Sequence, residues 1–185
     1  MDAKANVGDV VRLSGGFFMV DHVIPAVVRN LWRDITDEQR AEFVAIYGDE
    51  DAAEDGLLRE VTTADHAACF YNGAICVGLM WADWMRIDAI GLGVEGRVRT
   101  LGCVTTKRMR TLGMAVARHS DEMRDVFEMR EPPDADALYV AIQKSYKQST
   151  EWCVRMCKFT ELGEFLVNGE PFVLYIHKHG EGVRR

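Results

Sequence analysis

The sequence predicts an α/β fold with a mixed, mostly antiparallel sheet flanked by helices, and three observations carry that expectation. Two Asn-Gly steps, Asn72-Gly73 and Asn168-Gly169, each stand between apolar runs of strand length. Asn-Gly is a strong hairpin signal, because both central residues of a tight hairpin turn need positive φ. Between the two hairpins, stripes at helical spacing alternate with short apolar runs, an order that packs helices against one sheet. Hydrophobic residues make up 48% and charged residues 28% of the 185, a globular balance that excludes a wholly disordered chain and predicts a single domain over 1–185.

Residues 1–56 read as a helical N-terminal part. Asp21 is placed to cap a helix running through Val23, Val27, Val28, Leu31 and Trp32, with Pro25 in its first turn. Thr36 and Gln39 have capping-box spacing, which predicts a second helix to about Tyr47. The stretch GDEDAAEDG over 48–56 is acidic, lacks apolar spacing and has no Gly and terminal Glu at EF-hand positions, so it is expected to be a solvated loop.

Residues 57–179 carry the sheet core. The first hairpin is expected over 66–71 and 74–81, then a glycine-punctuated connection over 84–97 and a strand over 98–106. Trp81 and Trp84 flank a turn in this reading and either form a substrate or partner surface or pack at the core edge, the plainer of the two. Leu112, Ala115, Val116, His119, Met123, Val126 and Phe127 form one stripe of a helix over 112–130, stopped by Pro132 and Pro133. His119 on that stripe is read as a satisfied, partly buried histidine. A strand over 137–142, a helix over 150–158 capped by Ser149, and the second hairpin over 161–167 and 172–178 complete the order.

Charge and cysteine usage exclude several roles. Lys and Arg number 22 against 29 Asp and Glu, a net charge of −7, which disfavours coating duplex nucleic acid. No apolar run approaches the roughly 20 residues of a membrane span, and the first residues lack a signal-peptide pattern, so the expected compartment is cytoplasmic. Five cysteines without a regular framework fit a reducing interior. Cys153 and Cys157 read as small buried hydrophobes, and His177 with His179 as an exposed strand end without a third ligand. No metal site is expected.

Two glycine patterns compete for an anion. Gly91, Gly93 and Gly96 satisfy GxGxxG, but Arg97 to Leu101 after them reads as strand rather than helix, so this pattern is a loop. Arg110-Thr111-Leu112-Gly113-Met114-Ala115 lies between a strand and a helix, where turn amides and the helix dipole capture a diphosphate. Lys107, Arg108 and Arg110 add positive charge beside it.

This R-x-x-G-x-A pattern, after a hairpin and strand and before strand, helix and hairpin, resembles the GCN5-related N-acetyltransferase superfamily over residues 57–179, with the first helices in place of that family's opening pair. The resemblance implies acetyl-coenzyme A, or another acyl-coenzyme A, as cofactor and an amine as acceptor. Arg110, Gly113 and Ala115 take the signature positions, and the backbone from Met109 to Met114, including Thr111 and Leu112, forms the phosphate cradle. Cys103, Val104 and Thr105 become the strand edge that pairs with the pantetheine arm.

The family's acidic residue in the central strand has no counterpart over 98–106, and Glu95 just upstream is the nearest candidate base. Val154 falls where the family's tyrosine acid usually stands and Lys147 where it often has asparagine, which leaves Tyr146 as the candidate acid. More narrowly, the tail STEWCVRMCKFTELGEFLVNGEPFVLYIHK and the stretch CVTTKRMRTLGMA resemble the internal virion protein A family of short-tailed phages. That resemblance implies an alternative, a non-catalytic virion or assembly protein whose partners are phage proteins, in the host cytoplasm or the virion.

Overall fold

The protein was analysed as a computed structural model, which describes residues 10–107, 119–167 and 169–179. The chain opens on two short antiparallel strands, β1 (Val10–Arg12) and β2 (Phe17–Val20), joined by a tight turn in which Gly15 takes φ 65°. With three and four residues, these strands carry no readable alternation, and the first third, expected to be helical, therefore begins in the sheet.

Helix α1 (Pro25–Asp34) starts with Pro25 in the position where its missing N–H costs nothing. Ile24 rather than Asp21 precedes it, because Asp21 is drawn into an ion pair with Arg130. Helix α2 (Asp37–Tyr47) is capped as expected, with the Gln39 amide N donating to Thr36 Oγ1 at 3.3 Å.

The acidic stretch corrects the sequence reading. It forms helix α3 (Glu50–Thr63), capped by Asp49, which accepts from the Ala52 amide at 2.8 Å. Ala53, Gly56, Leu57 and Val61 are buried on one side, a stripe whose first members are too small to register as apolar spacing. Gly56 is needed there, since a Cβ would lie 2.6 Å from the Tyr47 ring.

Strands β3 (His66–Asn72) and β4 (Ile75–Ala89) form the expected hairpin, with Gly73 at φ 59°. The expected connection over 84–97 is instead mostly strand: β4 and β5 (Val94–Thr105) pair without interruption from Gly78 opposite Thr105 to Ala89 opposite Val94. The glycines of the GxGxxG pattern fall at and after the turn Ile90–Leu92. This extension persists because its tip has something to pack on: Leu92 lies over Gly163, and Ala89, Val94 and Leu174 make a small satellite core. Trp81 and Trp84 stand three apart on a regular strand and face opposite sides of the sheet, so they do not share a surface.

Helix α4 (Ser120–Glu128), with Met123, Val126 and Phe127 buried, begins after a non-helical N-cap at His119 (φ −113°, ψ 0°), so the helix expected over 112–130 does not run through residue 119. Strand β6 (Ala137–Gln143) follows. Helix α5 (Lys147–Glu151) runs into a π-helical turn over Trp152–Met156. It starts before the expected 150, so Ser149 lies inside it and Tyr146 occupies the N-cap. Strands β7 (Thr160–Val167) and β8 (Glu170–Lys178) form the second hairpin, with Gly169 at φ 86°.

The sheet order is β1-β2-β3-β4-β5-β6-β8-β7, antiparallel except between β5 and β6. Helices α1–α3 cover Cys69, Leu79, Trp81 and Val104 on one face. Helix α4 and the π turn cover Phe70, Met80, Leu138 and Tyr175 on the other. Packing here also overturns the exposed strand end: His177 is buried, 2.7 Å from Glu128 of α4 and against Phe159. Buried Arg99 of β5 bonds Glu131 at 2.5 Å and Asp65 at 2.8 Å, while His66 reaches Glu131 at 2.6 Å and stacks on Phe127. Among the described residues no helix is long and apolar enough to cross a membrane.

Candidate functional site

The parallel pair in the sheet is also its weakest seam. β5 and β6 meet at Thr100 opposite Tyr139 and carry no further ladder toward their C-terminal ends. Between those ends lies a cavity of about 320 Å³, bounded by Leu101 to Cys103 and Thr105 on one strand and Val140 to Ile142 on the other. Helix α2, Glu60 of α3 and the π turn close its sides.

Backbone alternation decides what β5 offers this cavity. The Thr106 amide bonds Val77 O toward β4 at 3.0 Å, so the polar groups of Cys103 and Thr105 turn the other way, into the split. The Gln39 side chain meets them there. Its Nε2 donates to Cys103 O at 3.5 Å, and its Oε1 accepts from the Thr105 amide at 3.2 Å. A single carboxamide thus satisfies one acceptor and one donor of the strand edge, as a ligand amide would.

The opposite wall is acidic and aromatic. Glu42 of α2 lines the cavity, and among the described residues its carboxyl has no hydrogen-bond donor. Burial, followed by the charge of Glu38, pushes its pKa up to about 7. Burial also raises Glu60, which accepts a hydrogen bond from the Tyr47 hydroxyl. Trp81 packs against the bare backbone at Gly102, where a Cβ would sit 2.2 Å from the indole. Burial lifts the Cys103 thiol to about 12 and raises Cys153 too, so both stay protonated and act as apolar lining. Among the described residues no group of three or more His, Cys, Asp or Glu is arranged to hold a metal ion.

The structure brings together only part of the site expected from sequence. Cys103 and Thr105 face the cavity, whereas Val104 is buried under α1–α3. Met109, Arg110, Thr111, Leu112, Gly113, Met114 and Ala115 lie outside the described residues. Glu95 is exposed near the β4–β5 tip, opposite Asp88, and does not join the cavity. Seven residues of extended strand separate it from Gly102, roughly 20 Å. Tyr146 stands beside the cavity at the α5 N-cap; burial and then Glu42 and Glu38 raise its pKa. Val154 is an exposed residue of the π turn. Glu42, Glu60 and Gln39 were not expected at the site, because polar residues on a helix read as its solvated face until the tertiary partner is known.

Neither a family model nor a curated protein matches this chain. Solved structures do. An aminoglycoside acetyltransferase in complex with coenzyme A superposes with a TM-score of 0.60 at 13% identity, covering 91% of this chain and 99% of that one. An aminoglycoside N(6')-acetyltransferase from Legionella pneumophila gives 0.55 at 11% over 90% and 94% of the two chains. A ribosomal alpha-N-protein acetyltransferase in complex with coenzyme A gives 0.54 at 10% over 92% and 98%. These superpositions show that the chain has the fold of the GCN5-related N-acetyltransferases.

Proposed function

We propose that this protein is an acyl-coenzyme A-dependent N-acyltransferase. The observation that carries the proposal is the split between β5 and β6, where the Cys103 carbonyl and Thr105 amide face a cavity and already hold a carboxamide, that of Gln39. Those two groups fit a pantetheine amide. The cofactor supplies an activated acyl thioester when bound; every other requirement falls on this chain. The Met109–Ala115 turn is assigned the diphosphate from its sequence. Glu42 holds the position of proton acceptor: it lines the cavity, lacks a donor of its own, and with a pKa near 7 it is half ionised at neutral pH. It replaces Glu95 in that role. Tyr146, kept protonated by burial and by the charges of Glu42 and Glu38, is the candidate proton donor.

The second reading, a phage virion or assembly protein using this fold as an interaction module, is favoured by one observation. Val154 stands where the family's acid usually does, and it is exposed rather than turned into the cavity. Thermal unfolding with and without millimolar acetyl-coenzyme A separates the two. Binding to the folded state adds about 2.7 kcal/mol at a hundredfold excess over Kd, and Gly113→Glu should abolish the shift. Absence of any shift in the native chain overturns the acyltransferase proposal.

A further inference from the structure

Cys69 of β3 and Cys76 of β4 take no part in the cavity. Both lie on the face of the sheet under α1–α3, where Cys69 is core and Cys76, with Tyr71, packs against that core. The strand register makes them diagonal neighbours, since Cys69 stands opposite Leu79 and Tyr71 opposite Cys76. Diagonal residues on one face have Cα atoms about 7–8 Å apart, with their Cβ atoms closer. The ladder between them is irregular. Phe70 pairs with Gly78 and Tyr71 with Cys76, so Val77 is an extra residue without a partner on β3. Such a bulge bends the strand that carries it.

The two sulfurs differ in reach and in charge. Cys69 is fully buried, whereas Cys76 is half-buried and follows Gly73, Ala74 and Ile75, all exposed. The neighbouring Cys69 thiol holds Cys76 below the ordinary thiol range, against the effect of burial. The same pairing, followed by burial, lifts Cys69 above that range. An outer sulfur that ionises first thus stands beside an inner one that keeps its proton. Burial raises the other three thiols, Cys103 to about 12 and Cys153 and Cys157 with it. All five cysteines are free, and the thiolate is the form that reacts with electrophiles.

We infer that Cys69 and Cys76 form a dithiol site for hydroperoxides, with Cys76 as the attacking sulfur and Cys69 as the resolving one. The Cys76 thiolate attacks the outer peroxide oxygen and the O–O bond breaks. Cys76 becomes a sulfenic acid, and the rest of the peroxide takes up a proton and leaves as water or an alcohol. The Cys69 sulfur then attacks the Cys76 sulfur, the S–O bond breaks, and hydroxide departs with the Cys69 proton as water. Two electrons have passed from the two thiols to one peroxide. A disulfide needs Cα atoms within about 7 Å, so closing it draws the strands together beside the unpaired Val77. The strain makes the bond readily reduced, as in a reversible site rather than a structural staple. None of this rests on the acyltransferase reading.

Hydrogen peroxide in small molar excess, added to the reduced full chain at neutral pH, tests the site. Two of the five thiols should disappear, peptide mapping should join Cys69 to Cys76, and dithiothreitol should restore both. Cys76 should be consumed roughly tenfold faster than Cys103, Cys153 or Cys157. In Cys69→Ala the reaction should stop at a Cys76 sulfenic acid that dimedone traps, and Cys76→Ser should lose no thiol over the same time. Unfolding midpoints identify a variant that has merely lost its fold, and the map of the native chain then decides alone. Five thiols still free, loss spread over all five, or a bridge between other cysteines overturns the inference. So does Cys76 carried on to sulfinic acid with Cys69 still reduced, or unchanged thiol loss in a folded Cys76→Ser.

Discussion

At the scale of single residues, Glu42 carries the most consequence. Its pKa near 7 in the folded state lies above the ordinary carboxylate value of 4.5. The folded chain therefore holds a proton that the unfolded chain has lost between those pH values, and stability falls as pH rises through the window. Facing charges on α2 (Glu38) and α3 (Glu60), with Tyr146 before α5, offer it no compensating cation. Glu42→Gln should leave stability unchanged at pH 4 and raise it at pH 8 by up to about 3 kcal/mol. Chemical denaturation at the two pH values measures this. The same substitution should abolish the rise in acyl-transfer rate through pH 7 expected of the native chain, so stability and turnover should move in opposite directions.

At the scale of elements, the strand edge of β5 and the tip of the β4–β5 arm make separate predictions. Gln39 competes for the groups that a ligand amide needs, so Gln39→Ala should tighten acetyl-coenzyme A binding about fivefold, the worth of roughly one neutral hydrogen bond. Weaker binding by calorimetry would show instead that Gln39 contacts the cofactor. Gly163 takes φ 144°, and a Cβ there would lie 2.7 Å from Leu92. Gly163→Ala should cost about 1–2 kcal/mol of unfolding free energy and loosen the tip first, seen as faster amide exchange at Ile90–Leu92. Element boundaries were readable where the signal is local. Both Asn-Gly turns, the Thr36 cap and the helix stop before Pro132 follow from neighbouring residues alone. The length of β4 and β5 was not readable, because what keeps residues 84–97 extended is the contact of Leu92 with a strand some seventy residues later. Helix α3 was hidden for a related reason, its buried stripe beginning with Ala53 and Gly56.

For the whole molecule, the buried ion network ties the two halves of the chain together. Arg99 in β5, Asp65 and His66 at the start of β3, and Glu131 after α4 come from three places in the sequence. Burial works against the Glu131 charge, yet His66 and Arg99 hold its pKa below the usual range. Its contribution is present above the ordinary carboxylate pKa and disappears as pH falls through the lower, folded value. Arg99→Ala should destabilise by about 3–5 kcal/mol, because it leaves Glu131 buried with a partner missing; a midpoint unchanged in urea would remove the network from the account. The candidate site follows the same division as the fold. Cys103 and Thr105 were visible as strand residues ahead of a glycine turn, but the acidic wall exists only once α2 and α3 have docked on the sheet.

The lone pairing of Thr100 with Tyr139 has a kinetic meaning. Elsewhere, admitting a molecule between two strands would require tearing a ladder apart, whereas here the Cys103 carbonyl and Thr105 amide beyond that pairing hold only the Gln39 side chain. Entry and exit should then be limited by displacement of one glutamine side chain, and a substrate can come and go while every strand stays zipped to its neighbour.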